Sequence, residues 1–182
     1  MNRLIQQIEQ WAEDRNLIKG STPQKQMLKL MEEFGELCGG IAKNKPEVIK
    51  DSIGDCFVVL VILENQLYKL GLTSGIDCAN WESVIKEYDD HILYELRNKN
   101  LDNTLEIIKD VHMFIQTSGR ITKSFYNGYK LTRDLRLLVG NLYMISYWSE
   151  QPFEESIQHA YDQIKDRNGK MIDGVFVKEE DL

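Results

Sequence analysis

The stretch that most constrains the fold is Cys56–Leu63, eight consecutive apolar residues that follow directly on Asp51-Ser52-Ile53-Gly54-Asp55. A helix that is apolar all round has no face to give to water, so it must be enclosed by other helices. The run is far shorter than the roughly 20 residues a bilayer crossing requires. Asp55 stands at the entrance to this buried helix. A carboxylate there has to be paired with a cation, bound to a metal or protonated, and no Lys or Arg follows within one turn.

Helical periodicity organises the rest. Leu4, Ile5, Ile8, Trp11 and Ala12 predict a first helix ending near 16–20. Thr22-Pro23, a capping hydroxyl followed by proline at the first helical position, starts a second helix with Met27, Leu30, Met31, Phe34, Leu37, Cys38 and Ile41 on one stripe. Asn44-Lys45-Pro46 breaks it and opens a third helix running to Leu70-Gly71. Further helices are expected over 80–98, from 101–102 to 118–119 or beyond, over 130–149, and from Pro152 to Arg167. Asp173-Gly174 between apolar pairs predicts a short hairpin at the end. The expected fold is therefore an all-α helical bundle with a small appended hairpin.

The acids fall into two groups. Glu32-Glu33-Phe34-Gly35-Glu36 lies on the second helix and Asp51-Ser52-Ile53-Gly54-Asp55 on the third, each with a glycine before its last acid. At roughly 100° per residue, Glu33 and Glu36 stand about 60° apart and Glu32 and Glu36 about 40° apart. Glu33 borders the apolar stripe. Two such helices side by side gather four or five carboxylates, an arrangement that repulsion disfavours unless a hard cation sits between them. A solvated acidic face explains the first group by itself; the second group and the buried run after Asp55 favour a Mg²⁺ site. Gly35 and Gly54 each cost a helix about 1 kcal/mol relative to Ala, a loss that close backbone approach would offset, and Gly39-Gly40 repeats the pattern.

A net charge of −7 argues against general nucleic-acid binding, which needs a basic face, but not against an anionic substrate at a metal. The three cysteines, Cys38, Cys56 and Cys78, lie in or near apolar helical segments and are expected as free thiols in a reducing compartment. With no signal-peptide core at 1–11, the expectation is a soluble cytoplasmic protein without membrane partners. His91, His112 and His159 share no ligand spacing. There is no Gly-x-x-x-x-Gly-Lys-[Ser/Thr] loop and no Gly-x-Ser-x-Gly elbow.

The halves also resemble each other. Residues 31–45 and 111–125 align with Phe34/Phe114, Gly39/Gly119, Ile41/Ile121 and Lys43/Lys123 in common, and Gly54-Asp55-Cys56-Phe57 aligns with Gly140-Asn141-Leu142-Tyr143. Either the chain is a degenerate tandem repeat of a four-helix unit, with His112, Met113, Gln116 and Asn141 in place of the acids, or any two helical hairpins would match this well. The corresponding division is an acidic half at 1–75 and a second half at 76–182 packed on it as one unit.

Glu32-Glu33-x-x-Glu36, a loop with Pro46, and Asp51-Ser52-Ile53-Gly54-Asp55 resemble the EExxE–spacer–ExxD signature of the MazG-like nucleotide pyrophosphohydrolases. Trp11-Ala12-Glu13-Asp14-Arg15 and the 160–167 segment also fit, and the whole chain is most similar to bacteriophage-type members. The resemblance is specific over 1–75 and weaker over 80–182. It implies an all-α NTP pyrophosphatase fold and Mg²⁺-dependent cleavage (Mn²⁺ being a possible substitute) of a nucleoside triphosphate to a monophosphate and pyrophosphate. It also implies a homo-oligomer, a dimer or tetramer. Glu33, Glu36 and Asp55 match metal-binding acids, and Glu32 matches the residue that orients or deprotonates water. The Glu of ExxD falls on Ser52, so Asp51 is the replacement ligand, and one ion or two stays open.

A triphosphate of roughly four negative charges needs cations as well. Lys43 and Lys50 lie near the acids, Arg120, Lys123, Lys130, Arg133 and Arg136 in the second half, and Lys165, Arg167 and Lys170 near the end. Trp11, Trp81, Phe125, Tyr126 and Tyr129 are conceivable base-stacking residues, although aromatics at helical spacing more often pack a core. Two alternatives stand beside the NTP pyrophosphohydrolase: a non-catalytic helical nucleotide-binding or interaction protein disabled by Ser52, and a dUTPase-like specialist.

Overall fold

A computed structural model describes residues 1–74, 78–98, 102–125 and 131–181, with side chains described except at 78–80, 95–98 and 181. Its described helices are α1 (Asn2–Asp14), α2 (Leu17–Gly20), α3 (Pro23–Ala42), α4 (Pro46–Lys69), α5 (Cys78–Asn98), α6 (Asn103–Ser124), α7 (Thr132–Trp148) and α8 (Phe153–Ile164). Strands β1 (Gly169–Ile172) and β2 (Val175–Lys178) follow. The architecture is all-α with one antiparallel hairpin. No helix among the described residues is long and apolar enough to cross a membrane.

Local chemistry sets the boundaries. Thr22 Oγ1 accepts from the Lys25 amide at 3.3 Å and Pro23 occupies the first turn of α3, while Pro46 does the same for α4. Between them Asn44 takes a left-handed φ of 47°, which reverses the chain within three residues. Asp173 and Gly174, at φ 49° and 77°, make the two-residue turn of the terminal hairpin, paired Ile172 to Val175 and Gly169 to Lys178. The helix expected to run to 118–119 or beyond continues to Ser124, since the exposed Gly119 meets nothing that would stop it. The last helix, expected to reach Arg167, ends at Ile164.

α4 is the centre of the molecule. Its Cys56–Leu63 run is wholly buried, enclosed by α3, α7, α8, α1 and α2. Phe57 packs edge-on against Trp81 and Phe153, at centroid distances of 5.4 and 5.5 Å. Trp81 is thus core, and Phe125 also packs against the core. Cys38 and Cys56 are free thiols. The side chain of Cys78, and Tyr126, Tyr129 and Lys130, lie outside the described residues.

The glycines divide in a way the sequence does not show. A Cβ at Gly54 would strike the Ser156 carbonyl oxygen and lie 2.6 Å from Ala160 Cβ, so this glycine admits α8, not α3. Gly40 seats the start of α4, with Val48 and Ile49 at 3.1–3.2 Å from the same construction. Gly35 and Gly39 face open space. The expectation that Gly35 and Gly54 together draw the acid helices close is therefore corrected: the close approach is made by Gly40 and Gly54, and Gly35 contacts no neighbour.

Candidate active site

The α3–α4 hairpin carries the acids, and packing sorts them. Glu33, next to Phe34 on the apolar side of α3, is only 7% exposed, whereas Glu32 and Glu36 are exposed. Lys29, one turn earlier, reaches Glu33 at 2.7 Å and Glu32 at 3.1 Å. Asp55 is half-buried on α4. Burial pushes its carboxyl up to about 7, helped by the negative charges of Glu33 and Asp51 and opposed by Lys29 and Arg167. Glu33, Asp51 and Asp55 thus feel one another across the hairpin, with two cations in range.

Asp51 is drawn toward α8. Gln163 Nε2 donates to its Oδ1 at 2.8 Å, and His159 Nε2 lies 3.5 Å from the same oxygen. His159 therefore belongs to the surroundings of the acids despite its lack of ligand spacing. Ser52 is 2% exposed, turned into the core where no solvent-facing ligand could sit. Among the described residues, no three or more His, Cys, Asp or Glu side chains are gathered closely enough to hold a metal ion as they stand.

Glu32, Glu33 and Asp55 line a cavity of about 430 Å³. Lys25, Lys29, Arg167 and Lys178 share its walls, so acids and cations meet in one concavity. Its other end is apolar, with Leu17, Val58, Val59 and Ile62 beside Trp11 and Phe176. Such a volume and such a mixture suit a small-molecule site. Glu36 and Asp51 lie outside its lining.

The basic residues singled out from sequence fare unevenly. Arg167 lines the cavity; Lys43, Lys50, Arg120, Lys123, Lys165 and Lys170 do not. Arg120 pairs with Asp134 at 3.0 Å, Arg136 with Glu87 at 2.9 Å and Lys165 with Asp162 at 2.7 Å. Lys43 is exposed at the carboxyl end of α3. Lys25, Lys29 and Lys178 were missed. Lys29 had a local signal, since a lysine three and four residues before two glutamates sits on their face of a helix. Lys178 had none, because it arrives through the terminal hairpin.

Fold and site together define an all-α protein with an acid-and-cation cavity against its central helix. The MazG nucleotide pyrophosphohydrolase domain family matches residues 21–80, the stretch that holds α3, α4 and all five acids. The likeness to the MazG domain is confined to this segment, about a third of the chain. It is also similar to an uncharacterized 18.2 kDa protein in the rep-hol intergenic region of Haemophilus phage HP1. The two are 76% identical over 66 residues, which are 36% of this chain and 40% of that protein. The chain thus spans about two fifths of the length of the curated relative it matches. No solved structure matches.

Proposed function

We propose that this protein is a Mg²⁺-dependent nucleoside triphosphate pyrophosphohydrolase that converts a (d)NTP to a (d)NMP and pyrophosphate. The observation that carries the reading is the single cavity joining Glu32, Glu33 and Asp55 to Lys25, Lys29 and Arg167, on a segment that matches the MazG domain. Glu33, Asp55, Asp51 and Glu36 are the carboxylates that would hold the ion, and their chemistry fits it. They are hard oxygen donors, and Asp55 is raised first by burial and then by the charges of Glu33 and Asp51, a repulsion that a divalent cation would relieve. Mg²⁺ bound there would withdraw charge from the phosphate oxygens.

The chain's own residues supply the rest. Glu32 stands exposed at the cavity, where solvent enters, and Lys29 holds it at 3.1 Å. It accepts the proton of the attacking water, whose oxygen bonds to the α-phosphorus as that atom's bond to the α–β bridging oxygen gives way. The bridging P–O bond breaks and pyrophosphate leaves. Lys25, Lys29, Arg167 and Lys178 neutralise the charge carried away and hold the triphosphate in line.

The same reading extends to organisation. Phe34 and Phe114, aligned positions of the two halves, stack with centroids 4.0 Å apart and planes within 5°. α8 crosses α4 at Gly54, and Tyr88 of α5 meets α7 at the aligned Gly140. This reciprocal packing supports a degenerate repeat in which the second half packs on the acidic one as a partner subunit would. Assembly of whole chains into dimers or tetramers belongs to the proposal too, and light scattering measures it.

A second reading, nucleotide binding without turnover, is favoured by one observation: Ser52 is buried and brings no carboxylate. Incubation with each common NTP and dNTP, with and without Mg²⁺, separates the two. Metal-dependent pyrophosphate release is expected. Saturable binding with no release would replace it by the second reading, and release from dUTP alone would narrow it to a dUTPase-like specialist.

A further inference from the structure

The apolar end of the cavity is completed by a part of the chain beyond the family match. The β1–β2 hairpin contributes Gly174, Val175, Phe176 and Lys178 to the lining. Its seat is specific. A Cβ at Gly174 would lie 2.8 Å from Lys25 Nζ and 3.2 Å from the Gly20 carbonyl, so the turn presses on the start of α3 where only glycine fits. A Cβ at Gly20 would lie 3.2 Å from Met171 Cγ on β1, so the contact is tight from both sides.

The first helix pins the chain that leads into the hairpin. Trp11 Nε1 donates to the Ile164 carbonyl at 2.8 Å. Arg15 donates from Nε to the Arg167 carbonyl at 2.8 Å and from Nη2 to the Lys165 carbonyl at 2.9 Å. These bonds tie α1 to carbonyls at and just past the end of α8. The Arg15 guanidinium lies 5.2 Å from the Trp11 ring centroid, and Phe176 meets Trp11 edge to face at 6.3 Å. Trp11 and Arg15 are thus positioning residues for Phe176.

A polar edge lies in the same cavity. Gln26 is buried, and its Nε2 donates to Ser21 Oγ at 3.0 Å. That bond orients the carboxamide, and its oxygen is an acceptor suited to an N–H on the rim of a heteroaromatic ring. An apolar slot, an aromatic ring on one wall, a fixed amide on another and cations leading to the acids follow the order of parts in a nucleotide: base first, phosphates last.

We propose that the C-terminal β-hairpin is the specificity element of this site, closing the slot as a nucleobase seat in which Phe176 contacts the ring and Gln26 reads its edge. The inference rests on the nucleotide reading above and assigns the base end of that same substrate. Stacking on an aromatic ring tolerates any base, so Phe176 sets affinity, whereas Gln26 sets preference.

Equilibrium binding of α,β-methylene nucleoside triphosphates with four different bases, and of inorganic tripolyphosphate, each with Mg²⁺ on the full chain, tests it. Phe176→Ala should weaken every methylene analogue by about tenfold while changing tripolyphosphate less than about twofold. Phe176→Leu, which keeps the apolar packing, should lose most of the same affinity. Gln26→Leu should reorder the four bases. Ile172→Ala, on the exposed side of the same hairpin, should leave all affinities as they were. Melting temperatures check that each variant is folded. Phe176 variants that bind all analogues like the wild type would overturn the seat, while wild-type pyrophosphate release would leave the hydrolase standing. Phe176-dependent binding with no release from any NTP would keep the seat and overturn the hydrolase. A wild type that binds no analogue overturns both.

Discussion

The helix pair α3–α4 and the helix pair α6–α7 share a packing scheme and differ in charge. Each gives one ring to the Phe34–Phe114 stack, and each second helix has a glycine at which another helix comes in. Where the first pair places Glu32, Glu33, Glu36 and Asp55, the aligned positions of the second hold His112, Met113, Gln116 and Asn141. The frame is therefore compatible with either set. Asp55 sits half-buried with its carboxyl raised to about 7, an electrostatic load that packing does not need, because the buried Asn141 occupies the matching place without a charge. The difference is what the proposed metal role of the α3–α4 acids would explain.

The sharpest way to break this comparison is to exchange the roles. Glu33→Gln and Asp55→Asn should each lower pyrophosphate release by about 100-fold or more, the loss of several kcal/mol of charge stabilisation. Met113→Ala and Gln116→Ala, the matching changes on α6, should keep kcat within about twofold. A comparable loss from the α6 variants would end the distinction between the two pairs.

A smaller effect lies in the pH dependence of stability. Asp55, ordinarily near 3.8, is raised to about 7 by burial and its acidic neighbours, so the folded state holds this proton more tightly than the unfolded one. Its contribution is fully present below about pH 4 and is lost as pH rises through about 7, a loss of at most a few kcal/mol. Chemical denaturation should show a shallower slope in Asp55→Asn than in the wild type. Asp110 on α6 is raised to about 7 as well, by burial and then Glu106, and gives the same sign of slope. Saturating Mg²⁺ should flatten the Asp55 share and leave the Asp110 share untouched. An equal response to Mg²⁺ in Asp55→Asn and Asp110→Asn would sink the assignment of the acids to the metal.

The glycines give the finest comparison. Gly54→Ala should destabilise by about 1–3 kcal/mol, because the obstacle is the backbone carbonyl of Ser156. Gly140→Ala should cost less, since Tyr88 is a side chain that can turn aside. Gly35→Ala, facing open space within a helix, should stabilise by up to about 1 kcal/mol. Thermal melts of the three variants rank them directly.

Much of this was legible beforehand, for reasons that are local. Thr22-Pro23, Asn44-Lys45-Pro46 and Asp173-Gly174 act within a few residues of themselves, so the boundaries they announce are where the structure has them. The Glu33–Lys29 pair is likewise a matter of one helical turn. Lys43 and Lys50 looked closer to the acids than Lys178, yet only Lys178 reaches the cavity. Distance along the chain is a poor guide once helices fold back. Arg167 enters the cavity while Lys165, two residues earlier, turns to Asp162, because α8 ends at Ile164 and the chain changes direction there.

By itself, the sequence determined that this chain is helical, that Cys56–Leu63 is enclosed, and that two acidic groups lie on adjacent helices, since helical period and turn chemistry are properties of short segments. Only the tertiary structure decided which acids share a cavity, that Ser52 points inward, that Gly54 serves α8, and that the terminal hairpin lines the same cavity. Each of those depends on which distant surface arrives at a given face, and that follows from packing the whole chain around α4.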